Sequence, residues 1–210
     1  MSALAVRGVA GAGSIANFLA GALALVAFKA VNPLHKPRAA YFLWLFATLN
    51  LFTGAGYFLF SGMAAIGDWD DVARGAMPPL LWRPAMAVCG ATLYFLLARH
   101  SAQRLRSLTG AGEFALSRSR RLTLPAYFAG GLLYCLAGLF NPVGPVLIAI
   151  SAAASSFGGA SGLLWLPAFL RPGERVEPPA PPLDRSYAWI VAGCVVSLVF
   201  VAILGPGLHF

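Results

Sequence analysis

The sequence predicts an all-α fold, a polytopic membrane bundle of about six transmembrane helices, and three observations predict it. Hydrophobic residues make up 59% of the 210 positions, where about 45–50% is usual, and charged residues 10%, where about 25% is usual. The mean hydropathy is +0.76, and a body of 22.0 kDa keeps too much area exposed to hide so apolar a surface inside itself. The apolar residues also fall into runs near the roughly 20 that a helix needs to cross a hydrocarbon core about 30 Å thick. An ordinary soluble domain is excluded.

The spans read in order as 8–28, 39–66, 80–98, 122–140, 145–170 and 187–208, all within one transmembrane domain, 1–210. Met1 to Phe28 has the look of a signal peptide with Arg7 as its basic head. The Lys29, Lys36 and Arg38 that follow would then sit on the wrong side of the membrane, so a retained helix is expected. The second span is long enough to tilt, or to break at Gly54 and Gly56, and the third carries Pro84 in its first turns. Asn141-Pro-Val-Gly-Pro145 reads as a compact turn into the fifth. No internal repeat of the kind found in inverted-repeat transporters is present.

Charge sets the orientation. Lys29, Lys36 and Arg38 lie between spans one and two, and Asp68, Asp70 and Asp71 with Arg74 between two and three. Arg99, Arg104, Arg106, Arg118, Arg120 and Arg121, with Glu113, lie between three and four, and Arg171, Arg175 and Arg185 between five and six. Positive loops mark the cytoplasmic side, so both termini are expected outside. The net charge of +8 then reads as topology and as attraction to acidic headgroups in the lipid bilayer. No basic stripe interleaved with exposed aromatics points to nucleic acid. Glu177-Pro-Pro-Ala-Pro-Pro182 reads as a stiff spacer. Cys89, Cys135 and Cys194 lie in apolar runs, an odd number without CxxC spacing, and read as small packing residues.

Polar groups inside lipid are costly and therefore informative. Asn17 falls in the first span, Asn50 in the second, Asp68 just past its end, and Ser151, Ser155, Ser156 and Ser161 in the fifth. No charged residue occupies a span centre, which weakens a proton-coupled pump or charge-lined pore. His35, His100 and His209 lie in expected loops or ends, which argues against a buried bis-histidine haem. Gly faces and buried Asn also serve ordinary helix packing.

Gly13-Ser-Ile-Ala-Asn17, the run from Asn50 through Gly56-Tyr57 to Ser61-Gly62, and Gly67-Asp68-Trp69 together resemble bacterial members of the site-2 protease family of intramembrane zinc metalloproteases. The resemblance covers about residues 8 to 98. It implies that Gly13 to Asn17 matches the family's Gly-Pro-x-x-Asn element with Ser14 in place of Pro. It also implies that Asn50 positions substrate, and that Asp68 is the third zinc ligand. Asp184 is a second, lower-ranked candidate for that ligand. The family's His-Glu-x-x-His helix, whose histidines hold zinc while the Glu serves as base, is absent. By the resemblance it would precede Met1. The chain as given is then expected to be truncated or catalytically inactive, with zinc bound only if that helix is supplied.

Gly159-Ala-Ser161-Gly162 is similar to the Gly-x-Ser-Gly of rhomboid serine proteases, which makes Ser161 a candidate nucleophile. A histidine must reach such a serine, and the sixth span offers only His209 at its far end, about 15 Å away in depth from Ser161 midway along the fifth. Three functional expectations result. The first is a site-2 protease relative of a bacterial inner membrane, acting on or binding a membrane-protein substrate. The second is a non-enzymatic membrane scaffold or binding protein whose small-residue seams hold helices or lipids. The third and least supported is a rhomboid-like hydrolase.

Overall fold

A computed structural model describes residues 3–73, 78–110, 114–140, 144, 151–170, 181–204 and 206, and among these the regular elements are all helical. The helices are α1 (Ala3–Ala30), α2 (Pro37–Ala64), α3 (Asp68–Ala73), α4 (Pro79–Thr109), α5 (Ala115–Leu139), α6 (Gly162–Trp165) and α7 (Tyr187–Val199). A π-helical turn, Ala154–Gly158, precedes α6; a 3₁₀ turn, Leu166–Phe169, follows it, and a second π turn, Phe200–Leu204, follows α7. Stretches of α1, α2, α4 and α5 are long and apolar enough to cross a membrane, whereas Tyr187–Ile203 is a shorter apolar helix.

The helices run beyond the expected spans: α4 continues past residue 98 to Thr109, and α5 begins at Ala115, ahead of residue 122. Hydropathy marks where a helix leaves lipid, while Arg, Gln, Leu and Ala continue it as good helix formers. Arg99, Arg104 and Arg106 therefore ride on α4, and Arg118, Arg120 and Arg121 on the first two turns of α5. The acidic loop folds into the short α3. α2 does not break at Gly54 and Gly56, because both are packing positions: Gly54 lies under the Phe18 ring and Gly56 faces Gly159.

The fifth expected span is not one α-helix over its described part, 151–170. The Ser156 hydroxyl donates to the Ala152 carbonyl (2.6 Å), and the Gly159 N–H reaches back five residues to Ala154 (3.0 Å). A serine competing for a backbone carbonyl next to two glycines loosens the helix locally. Residues 145–150, the turn positions 141–143, the spacer residues 177–180, and 205 and 207–208 of the sixth span lie outside the described residues.

α2 is the central element and packs most extensively on α4 and next on α1. Its approach to α4 is backbone to backbone. A Cβ placed on Gly62 would lie 2.6 Å from Ala87 N and 2.8 Å from the Arg83 carbonyl, and one on Gly90 would collide with Leu59 N. Arg83 closes the same crossing by donating to the Met63 carbonyl at the end of α2 (3.1 Å). At the other end of the pair the buried Trp44 donates its indole N–H to the Ser101 carbonyl (3.0 Å), with Thr48 beside it 3.3 Å from the Ser101 hydroxyl. Trp44, Phe52, Leu105, Leu108, Leu163 and Leu166 form the core there. Tyr41 adds a bond to the Leu122 carbonyl of α5 (2.8 Å). α7 leans on the outside, with Trp189 against Phe42 and Phe200 against Tyr134.

The glycine crossing gives a clear expectation. Gly62→Ala and Gly90→Ala gain helix propensity worth up to about 1 kcal/mol. Each must nevertheless push backbone atoms apart, an overpacking cost of about 1–3 kcal/mol. Thermal unfolding in detergent should show both variants destabilised. Gly130→Ala, whose Cβ meets nothing within 4 Å, should be neutral or slightly stabilised.

Candidate functional site

The residues quoted for the first constellation come together only in part. Ser14 of α1 accepts a hydrogen bond from the Trp69 indole (2.8 Å), and Trp69 stacks on Phe58 of α2 with centroids 4.3 Å apart. Phe58 in turn meets Phe18, 6.2 Å away. Gly11 leaves room for Trp69 and Val72 against α1. The Gly13–Asn17 and Gly67–Trp69 segments are thus joined through Ser14 and Trp69, in a wedge that fastens α3 across α1 and α2. Gly67 supplies the turn into α3 with a φ of +98°, a conformation glycine adopts without a Cβ penalty.

Asn50 stands apart from this wedge. It is half-buried in the middle of α2 and its Nδ2 donates to the Phe46 carbonyl one turn back (2.8 Å). Fourteen residues of α2 separate it from the helix end at Ala64, about 21 Å of axial rise. Asn50 and Asp68 therefore do not share a site. Asn17 is half-buried on α1, and Asp184 lies exposed in the stretch before α7. Among the described residues no three His, Cys, Asp or Glu side chains converge as a metal site. Four-coordinate zinc needs three protein donors or more, so the described donor set around Asp68 does not fit that ion by itself.

The Asp68 carboxyl is pushed above the ordinary carboxylate range, first by partial burial and then by repulsion from Asp71.

The more developed site is a cavity of about 620 Å³ between the second half of α2, α4 and the segment 151–161. That volume lies in the range of about 300–1,000 Å³ common for small-ligand pockets. Leu59, Phe60, Met63, Ala64 and Ile66 line one wall; Ala154, Ser155, Gly158 and Gly159 line the other. Gly56 and Gly159 come close enough to close its floor, a Cβ on Gly56 lying 3.5 Å from Gly159 Cα. Thr53, Tyr57, Ser151 and Ser155 contribute hydroxyl-bearing side chains. From Thr53 to Met63 the cavity follows α2 for about 15 Å.

Tyr94 holds the inner end. Its hydroxyl donates to the Gly159 carbonyl (2.7 Å), accepts from the Gly162 N–H (2.7 Å), and lies 3.3 Å from Ser161 Oγ. Its ring stacks on Phe52, 4.8 Å between centroids, and Phe52 presses on Gly162 from the other side. Ser161 is half-buried at the start of α6 and faces this phenol. His100 lies six residues beyond Tyr94 on α4, about 9 Å further along the axis, and His209 is outside the described residues. Tyr94 went unremarked in the sequence. Its signal was a tyrosine deep in an apolar run, whose hydroxyl has to find a partner there.

No protein-family model, curated protein or solved structure matches the chain.

The raised pKa of Asp68 fixes the sign of a pH effect. The native state holds that proton more tightly than the unfolded chain, so the group is harmless in acid and costs stability as pH rises past the ordinary value of about 4. Asp68→Asn should melt slightly higher than the parent protein at neutral pH, and the gap should close in acid. Zinc content measured on both proteins should be equal. Higher zinc in the parent would restore Asp68 as a ligand.

Proposed function

We propose that this chain is a non-enzymatic membrane protein that binds a long apolar chain, such as a lipid acyl chain, in the cavity beside Tyr94. The cavity itself carries the reading: it is elongated, walled by apolar and small residues, and ends against exposed apolar side chains, including Met63 and Ile66. Water gains little from such walls, whereas a hydrocarbon chain fills them by dispersion and burial. The hydroxyl-bearing Thr53, Tyr57, Ser151 and Ser155 offer bonds to one polar group on the ligand. Tyr94 is engaged with Gly159 and Gly162, which suits a wall better than a catalytic acid or base.

In this reading the six helical segments make up one bundle in a bacterial inner membrane. Lys29, Lys36 and Arg38, with the arginines near the end of α4 and the start of α5, gather at one end of the bundle, and α3 with its aspartates lies at the other. The positive end faces the cytoplasm and both termini lie on the far side. The resemblance to site-2 proteases fits here as a relative without catalysis, one that keeps a groove for an extended ligand and gathers no zinc donor set among the described residues.

Binding is tested with the intact protein in detergent and a long-chain fatty alcohol, read by native mass spectrometry. Saturable binding is expected, and Ala154→Phe, which fills the cavity, should weaken it by about tenfold or more, 1.4 kcal/mol at least. Unchanged binding in that variant would remove the cavity from the argument.

Orientation is tested separately after the native cysteines are replaced. A cysteine at Asp71 should react with a membrane-impermeant maleimide in intact cells, and one at Ser107 should react only after permeabilisation. The reverse pattern would invert the topology.

A further inference from the structure

The cations near the start of α5 are not equivalent. Arg118 is committed to structure: its Nη1 donates to the Thr109 carbonyl (3.2 Å) and braces the turn out of α4, where Gly110 takes a φ of +67°. Arg120 and Arg121 are exposed, and no described residue pairs with either guanidinium. Both line an open groove of about 470 Å³, together with Leu116, Ser117, Leu124 and Pro125.

The spacing explains the groove. Ser117, Arg120, Arg121 and Leu124 stand at i, i+3, i+4 and i+7, a single helix face. Along that face the residues are graded, with hydroxyl and guanidinium groups near the helix start and Leu124 and Pro125 one turn deeper. The exposed Phe128 continues the apolar side one turn further. α5 is one of the helices that can cross a membrane, so this gradient runs from the interface into the hydrocarbon. Two guanidiniums with no partner among the described residues, above an apolar strip, match a molecule with an anionic head and a hydrocarbon tail.

We propose that this groove binds one anionic phospholipid of the adjacent leaflet. The phosphate engages Arg120 and Arg121, the Ser117 hydroxyl donates to a phosphate oxygen, and an acyl chain lies along Leu124 and Pro125. The positive end of the α5 dipole adds to the attraction for the phosphate. Arginine forks suit this task because they meet phosphate oxygens in pairs. This site is independent of the cavity beside Tyr94, which lies between α2, α4 and the segment 151–161.

The test is native mass spectrometry of the full chain in detergent, titrated with phosphatidylglycerol, with phosphatidylcholine of the same acyl chains, and with inorganic phosphate. Phosphatidylglycerol should be retained about tenfold more strongly than phosphatidylcholine. Arg120→Gln with Arg121→Gln should abolish that preference. Arg99→Gln with Arg104→Gln, which removes the same charge from α4, should preserve it. Arg120→Lys with Arg121→Lys keeps the charge and should retain a reduced preference, which guards against a folding defect in the glutamine pair. Three results would overturn the proposal: equal retention of the two lipids, an undiminished preference in the glutamine pair, or displacement of phosphatidylglycerol by millimolar phosphate, which would make the groove a soluble-anion site.

Discussion

The closeness of α2 to α4 at Gly62 and Gly90 is the constraint on which the other contacts depend. Two helices whose backbones touch at one end have little freedom to rotate or slide, so the rest of their interface is placed with them. That placement brings Trp44 to the Ser101 carbonyl and Phe52 onto Tyr94. It also sets the width of the gap into which the segment 151–161 fits. In lipid no hydrophobic force drives helices together, because the tails are as apolar as leucine. Association rests on close packing and on hydrogen bonds such as that of Trp44, and small residues at the crossing permit both.

The second organising feature is the separation of charge along the bundle. α1 and α4 end, and α2 and α5 begin, at the cationic end, held together by Tyr41 on Leu122 and Trp44 on Ser101. α3 is pinned at the opposite end by Trp69 on Ser14. The polar side chains of the two ends thus have different duties. Those of the acidic end sit on a short helix that caps α1 and α2. Those of the cationic end sit on extensions of α4 and α5, where some brace the turn and others are left to face the interface.

Much of the fold was legible in the sequence because hydropathy reports depth directly. The all-helical class follows from composition and run length alone, and of the six spans read there, four correspond to helices long and apolar enough to cross a membrane among the described residues. Depth is not conformation, however. Arg99 to Thr109 leaves the apolar run yet stays helical, since its residues favour helix in water as well as in lipid. The break after Ser151 was hidden because it depends on a serine hydroxyl choosing a carbonyl and on an aromatic ring pressing on Gly162. Of the site residues, Asp68 and Trp69 stood out by their chemistry, but Asn50 satisfied itself one turn back on its own helix. Tyr94 was invisible to a scale that counts it among apolar neighbours.

The π-helical turn at Ala154–Gly158 has a consequence for how this segment tolerates change in length. A π turn accommodates one residue more than an α turn over the same rise, so it acts as a stored insertion. Removing a single residue there would let the turn relax to α geometry while the residues on either side keep their facing, so Gly162 would stay against the Phe52 ring and Ser161 beside Tyr94. Adding a residue would instead turn everything after it by about 100°. The segment is thus asymmetric in what it tolerates: a one-residue deletion within the turn is absorbed, whereas an insertion, or a side chain at Gly159 or Gly162, is not.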